Sequence, residues 1–87
     1  MKAKYKVGDA FRLKKDHTFT RGFRMGGFNK DGSVAEIDKE HSKAGGTAKV
    51  SVVYDLADRA EPRYRVDLGE IYMDLTEAEL LELFDAV

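Results

Sequence analysis

Ala48-Lys49-Val50-Ser51-Val52-Val53-Tyr54-Asp55-Leu56 reads as a β-strand. Ala48, Val50, Val52, Tyr54 and Leu56 fall on one side, and Lys49, Ser51, Val53 and Asp55 on the other. That period of two belongs to a strand with one buried face. The pattern predicts Val50, Val52 and Tyr54 inward. Downstream, Ala57–Pro62 holds the only proline and reads as a break. Tyr64, Val66 and Leu68 then alternate with Arg63, Arg65 and Asp67, a second strand. Gly69 separates it from a third over 70–74, with Ile71 and Met73 on one face. Upstream, Gly45-Gly46 ends a polar loop that begins at Lys39. Val34 to Ile37 is a short strand behind the turn signal Asp31-Gly32. Phe11 and Leu13 alternate with Arg12 and Lys14 after the turn Val7-Gly8-Asp9, giving a fifth strand.

A helix ends the chain. Thr76 and Glu79 have the spacing of a capping box, in which each side chain bonds the other's backbone N–H. Leu75 and Leu80 are placed for a hydrophobic staple across that start. Glu77 and Glu79 suit the positive end of the helix dipole. Leu80, Leu83, Phe84 and Val87 follow the i, i+3, i+4, i+7 spacing, so the expected helix runs to the end with one apolar stripe. Leu80 and Phe84 are expected in the core, with Val66, Leu68 and Ile71.

Eighty-seven residues make one domain, 1–87, with a small core. Hydrophobic residues are 43% of the chain, which argues against disorder. No cysteine is present, so disulfides, thiol catalysis and cysteine-held zinc are excluded. Its absence fits a reducing compartment, and the expected location is cytoplasmic. No apolar run approaches the roughly 20 residues that span a bilayer. Met1-Lys2-Ala3-Lys4-Tyr5-Lys6 is basic but lacks the apolar stretch of a signal peptide.

The charges are sorted along the chain. Residues 1–30 carry nine Lys/Arg against two acids, a net of +7. Residues 31–60 carry four against six, and residues 61–87 two against eight, nets of −2 and −6. A near-neutral whole thus hides a basic first third, the pattern of a charged binding surface.

Taken together, the motifs are similar to those of the SH3-like barrel superfamily, including the small KOW-like barrels found in bacteria and phages. Tyr5-Lys6-Val7-Gly8-Asp9-Ala10-Phe11-Arg12-Leu13 resembles the opening strand of such barrels. Gly32-Ser33-Val34-Ala35-Glu36-Ile37 resembles their second strand, and Tyr64-Arg65-Val66 a later one. Leu75-Thr76-Glu77-Ala78-Glu79-Leu80 resembles their ending. The match leaves out residues 15–31 and 38–46. It implies a mainly β fold, a five-stranded SH3-like barrel with a C-terminal α-helix. It also implies a partner such as nucleic acid, a nucleoprotein complex or another protein.

Residues 14–31 have no clean period, and a connection of that length is commonly functional. With Arg12 they supply the candidate partner-binding residues Arg12, Lys14, Lys15, Phe19, Arg21, Phe23, Arg24, Phe28 and Lys30. Bases meet phosphates, and interleaved rings stack on unpaired bases. The same set suits an acidic protein surface, with Phe and Arg as anchors. The competing reading tucks each Phe into the core and spends the bases on this chain's own acids. Gly22-x-x-x-Gly26-Gly27 lacks the Lys-Ser/Thr pair of a phosphate loop. His17 beside Asp16, and His41 near Glu36, Asp38 and Glu40, read as solvated histidines. No catalytic or metal constellation emerges, and no cofactor is implied. The expectation is a non-enzymatic module binding nucleic acid or a nucleoprotein through the basic, aromatic segment. Its alternative is a protein-interaction factor, an accessory protein or inhibitor of a larger host enzyme or complex. Small barrels keep edge strands, so both a monomer and a homodimer are open.

Overall fold

The computed structural model of the chain describes residues 3–55 and 61–87. In order, its elements are β1 (Ala10–Leu13), β2 (His17–Phe19), β3 (Phe23–Phe28), β4 (Val34–Glu36) and β5 (Glu40–Ser42). Then follow β6 (Thr47–Tyr54), β7 (Arg63–Leu68), β8 (Ile71–Thr76), α1 (Glu77–Leu83) and β9 (Phe84–Ala86). The fold is mainly β with one helix, as expected. It differs in having nine strands rather than five among the described residues. Seven form one antiparallel sheet in the order β4-β3-β8-β7-β6-β1-β9, and β2 pairs with β5 apart from it. Among the described residues no ladder joins β4 to β9, so the sheet is open and the expected closed five-stranded barrel is not found.

Apart from β9, the extra strands lie where the sequence showed no period. Residues 14–46 form two nested pairs, β2 with β5 outside and β3 with β4 inside. β3 then adds to the edge of β8 through Phe23↔Tyr72 and Arg24↔Ile71. Backbone pairing is satisfied by any residue except proline, so three-residue strands need no apolar alternation to form.

The core lies on one face of the large sheet. Phe11, Leu13, Ala48, Val50, Tyr64, Val66, Leu68, Ile71, Met73 and Leu75 are its strand positions. Leu80 closes it from α1 and Phe84 from β9, while Phe19 and Ile37 enter from the 14–46 segment. Tyr64 is buried but not orphaned. Its hydroxyl donates to Glu77 Oε1 at 2.9 Å and accepts from the Lys4 N–H at 3.1 Å. Burial and the Glu77 carboxylate raise its pKa.

Two expectations of register are corrected. β6 and β7 pair at Val50↔Val66 and then at Val52↔Arg65, leaving Ser51 as an extra residue. A bulge of this kind turns the strand by one position. Val53, opposite Tyr64, therefore packs on the core, and Val52 and Tyr54 face outward beside Arg65 and Arg63. The Ser51 hydroxyl holds the bulge by donating to Asp67 Oδ1 at 3.1 Å. Leu56, read as the next inward position, lies with 57–60 outside the described residues.

The helix begins as expected and ends early. Thr76 accepts from the Glu79 N–H at 3.2 Å, and Glu79 accepts from the Thr76 N–H at 3.0 Å. Phe84 then leaves helical geometry, and Phe84–Ala86 pairs with β1. The stripe is thus split between two elements: Leu80 and Phe84 are buried, but Val87 is exposed. Pairing satisfies backbone groups that β1 would otherwise show on an open edge. Among the described residues no helix is long and apolar enough to cross a membrane.

Candidate functional site

The nine candidate residues do not form one surface. Arg12 is exposed on β1, opposite Asp85 of β9. Lys14 donates from Nζ to the Leu81 carbonyl at 2.6 Å and lies 3.9 Å from Asp85. Lys15 is exposed in the turn after β1. Arg21 reaches Glu79 at 3.9 Å, and Arg24 of β3 pairs with Glu40 of β5. Lys30 is exposed in the β3–β4 turn. Three of the expected phosphate contacts therefore face carboxylates of this chain. Arg12 and Lys15 sit at β1, next to the β9 edge, and Lys30 beside the opposite edge at β4.

The three phenylalanines separate in the same way. Phe19 is 4% exposed, packed in the core, and is corrected from a surface ring to an anchor of the segment. Phe23 stacks on Tyr72 across β3 and β8, with ring centroids 5.4 Å apart. Phe28 is 70% exposed.

Phe28 stands on a built support. It faces Val34 across the β3–β4 pair, and Val34 and Met25 of the same hairpin are exposed too. Between Phe23↔Glu36 and Phe28↔Val34 the register slips, and β3 bulges around Met25-Gly26-Gly27. The tip is tied by five hydrogen bonds, one of them from Asn29 Nδ2 to the Ser33 hydroxyl at 3.0 Å. Asn29 N–H donates to the Ser33 carbonyl at 2.8 Å, and Gly32 N–H to the Asn29 carbonyl at 3.0 Å. The Asp31 carboxylate accepts from the Ser33 hydroxyl at 2.6 Å and from its N–H at 2.9 Å. Those bonds hold the Asp31 carboxyl below its usual pKa.

A second feature was not read from the sequence. A cleft of about 620 Å³ separates residues 17–23 from β8 and α1. Arg21, Glu36, Arg63, Asp74 and Glu79 supply its charged lining. Among the outward positions of β7 and β8, Arg65 lies 4.9 Å from the Tyr72 ring centroid and 5.9 Å from that of Tyr54. Its guanidinium bonds Asp74 at 3.0 Å from Nε, which raises its pKa. Arg63, Arg65, Tyr72 and Asp74 were legible as the outward positions of alternating strands. Nothing in the chain's order said that Arg63 and Asp74 would share a cleft with residues 17–23, or that Tyr72 would stack on Phe23.

The histidines keep to local partners. His41 Nδ1 and the Thr18 hydroxyl lie 2.6 Å apart across β2 and β5, and His17 packs edge-on against Phe19. Asp16 accepts from the Ala44 N–H at 2.8 Å, which joins the two ends of the 14–46 segment.

No protein-family model, curated protein or solved structure matches this chain.

Proposed function

We propose that this chain is a non-enzymatic binding module that docks on a protein partner through the β3–β4 hairpin, with Phe28 as its anchor. The observation that carries the reading is the 70% exposure of Phe28 on a hairpin whose tip is hydrogen-bonded from both sides. A preorganised aromatic loses little freedom on docking, and such rings dominate interface energies. Val34 and Met25 extend the apolar surface, so the fitting partner offers an apolar pocket. Lys30 and Asp31 balance each other at the tip, and the hairpin brings no excess charge toward phosphates.

The fold supports the same class. β8, β7, β6, β1 and β9 form one uninterrupted run of the sheet, with residues 14–46 as a long first connection and α1 near the end. This arrangement supports an SH3-like module whose first connection has grown into the nested strand pairs. The nucleic-acid reading asks for cations gathered on one surface, and the pairing of Arg24 with Glu40 and of Lys14 with the Leu81 carbonyl and Asp85 counts against it.

The test is co-purification from nuclease-treated host lysate with the wild type and Phe28→Asp. Expected is a defined protein partner whose affinity falls about 30-fold or more in the variant, the loss typical of an interface hot spot. Partners that vanish with nuclease return the nucleic-acid reading. A partner held equally by Phe28→Asp moves the interface off the hairpin.

A further inference from the structure

A second site follows from where β3 stops. β8 runs from Ile71 to Thr76, but its register with β3 ends at Tyr72. Gly22 is the reason. Its φ of +146° is one that side-chain-bearing residues rarely adopt, and a Cβ there would sit 2.8 Å from the Tyr72 carbonyl oxygen. The chain turns away from β8 at this point, and the cleft opens beyond it.

The exposed strand edge has a defined phase. The Glu70 carbonyl accepts from the Met25 N–H at 2.7 Å, and Tyr72 pairs with Phe23. In an antiparallel ladder alternate residues turn their backbone groups to the same side. Asp74 is next in that phase, beyond the last residue that β3 reaches. Its N–H and C=O are thus directed into the cleft, while its carboxylate is taken by Arg65.

We infer that the cleft accepts an extended peptide segment of a partner, added as a strand to β8 at Asp74, with apolar residues inward and an acidic residue at the Arg21–Arg63 end. Strand addition gives affinity through the backbone and specificity through alternate side chains. Inward, the peptide meets the half-buried Leu83, with the core side chains Phe19 and Leu75 forming the floor beneath it. Outward, Arg21 and Arg63 converge: both charges act on the Glu79 carboxylate, which is already occupied by the capping box. The Arg21 side chain is 90% exposed and able to swing to a ligand carboxylate. Glu36, opposite Phe23, also lines the cleft and opposes an acid set beside it.

The site is separate from the hairpin surface, and the test keeps them apart. Titrate the blocked peptide Val-Glu-Val-Glu-Val into labelled protein and follow amide shifts. Expected is saturable movement of the Asp74 and Gly22 amides with a Kd of about 1 mM or tighter. Charge reversal at both exposed arginines (Arg21→Glu with Arg63→Glu) weakens it about tenfold or more, with the remaining amide spectrum preserved. Val-Lys-Val-Lys-Val binds more weakly, and N-methylation of alternate peptide amides abolishes the shift. Phe28→Asp leaves binding unchanged. No saturable shift at Asp74, equal binding of the lysine peptide, or indifference to N-methylation overturns the inference. Loss of peptide binding in Phe28→Asp would place the peptide on the hairpin and overturn the cleft assignment.

Discussion

Residues 47–87 and residues 14–46 reach the same core by different means. The first region pairs β6, β7 and β8 over most of their lengths and supplies ten of the fourteen buried hydrophobic residues among those described, Ala48, Val50, Tyr64, Val66, Leu68, Ile71, Met73, Leu75, Leu80 and Phe84. The second has strands of three to six residues and inserts two side chains, Phe19 and Ile37. It joins β8 through a two-residue register and the Phe23–Tyr72 stack, and polar bonds hold it within itself: Arg24 with Glu40, Thr18 with His41, Asp16 with the Ala44 N–H. Single polar bonds of this kind contribute about 1 kcal/mol each. The contrast teaches that a long alternating meander specifies itself locally, whereas an inserted segment depends on a few anchors and on backbone shape. The surfaces proposed for partners lie in or beside the weaker region, where side chains are not committed to the core.

The largest expected effect tests that division directly. Phe11→Ala, at a fully buried β1 position, should destabilise the whole molecule by about 3–5 kcal/mol, read as a lowered urea midpoint. Phe19→Ala should instead act regionally. Hydrogen exchange should speed in residues 17–42 and leave the β6–β8 amides protected. Equal loss of protection in both regions would break the comparison.

Next comes Gly22→Ala. The added methyl group meets backbone rather than a movable side chain, and the φ is unfavourable, so about 1–3 kcal/mol of strain is expected. The amides of Phe23 and Arg24 should lose protection first. A variant as stable as the wild type would show that β3 is not seated on β8 as described.

Thr76→Ala removes half of the capping box and should cost about 0.5–2 kcal/mol in a denaturant titration. An unchanged midpoint would mean that α1 is held by Leu80 alone.

The smallest effect is one of pH. The Thr76 N–H, then the Thr76 side chain and the charges of Arg21 and Arg63, hold the Glu79 carboxyl below its usual pKa. A depressed carboxylate stabilises the fold above the ordinary glutamate range, and that contribution is lost as pH falls through this range toward the folded value. The urea midpoint of the wild type should therefore exceed that of Glu79→Gln near neutrality and converge on it in acid. A gap independent of pH would remove the charge from the account.

Much of the first region was legible because each strand carried its own period. Val50, Val66, Leu68 and Ile71 were placed inward from alternation alone, and Thr76 and Glu79 marked the helix start. Reading failed at Ser51, where a one-residue bulge exchanged Val53 for Val52 and Tyr54. A bulge is settled by pairing with β7, and its residue type gives no signal. It failed again at Phe84, whose spacing fits a helix but whose backbone is drawn to the free edge of β1. Of the candidate site, Phe28 kept its exposed place. The basic segment did not stay together, because its arginines and lysine found carboxylates distant in sequence, Glu40, Glu79 and Asp85.

By itself the sequence determined the β class, the meander from β6 to β8, the capped start of α1 and most of the core, since these rest on periods and caps within a few residues. Tertiary structure alone decided the open sheet, the nested pairs of residues 14–46, the neutralised bases and the cleft at Asp74. Each depends on which edges and charges meet across the fold, and an edge accepts any strand whose backbone reaches it.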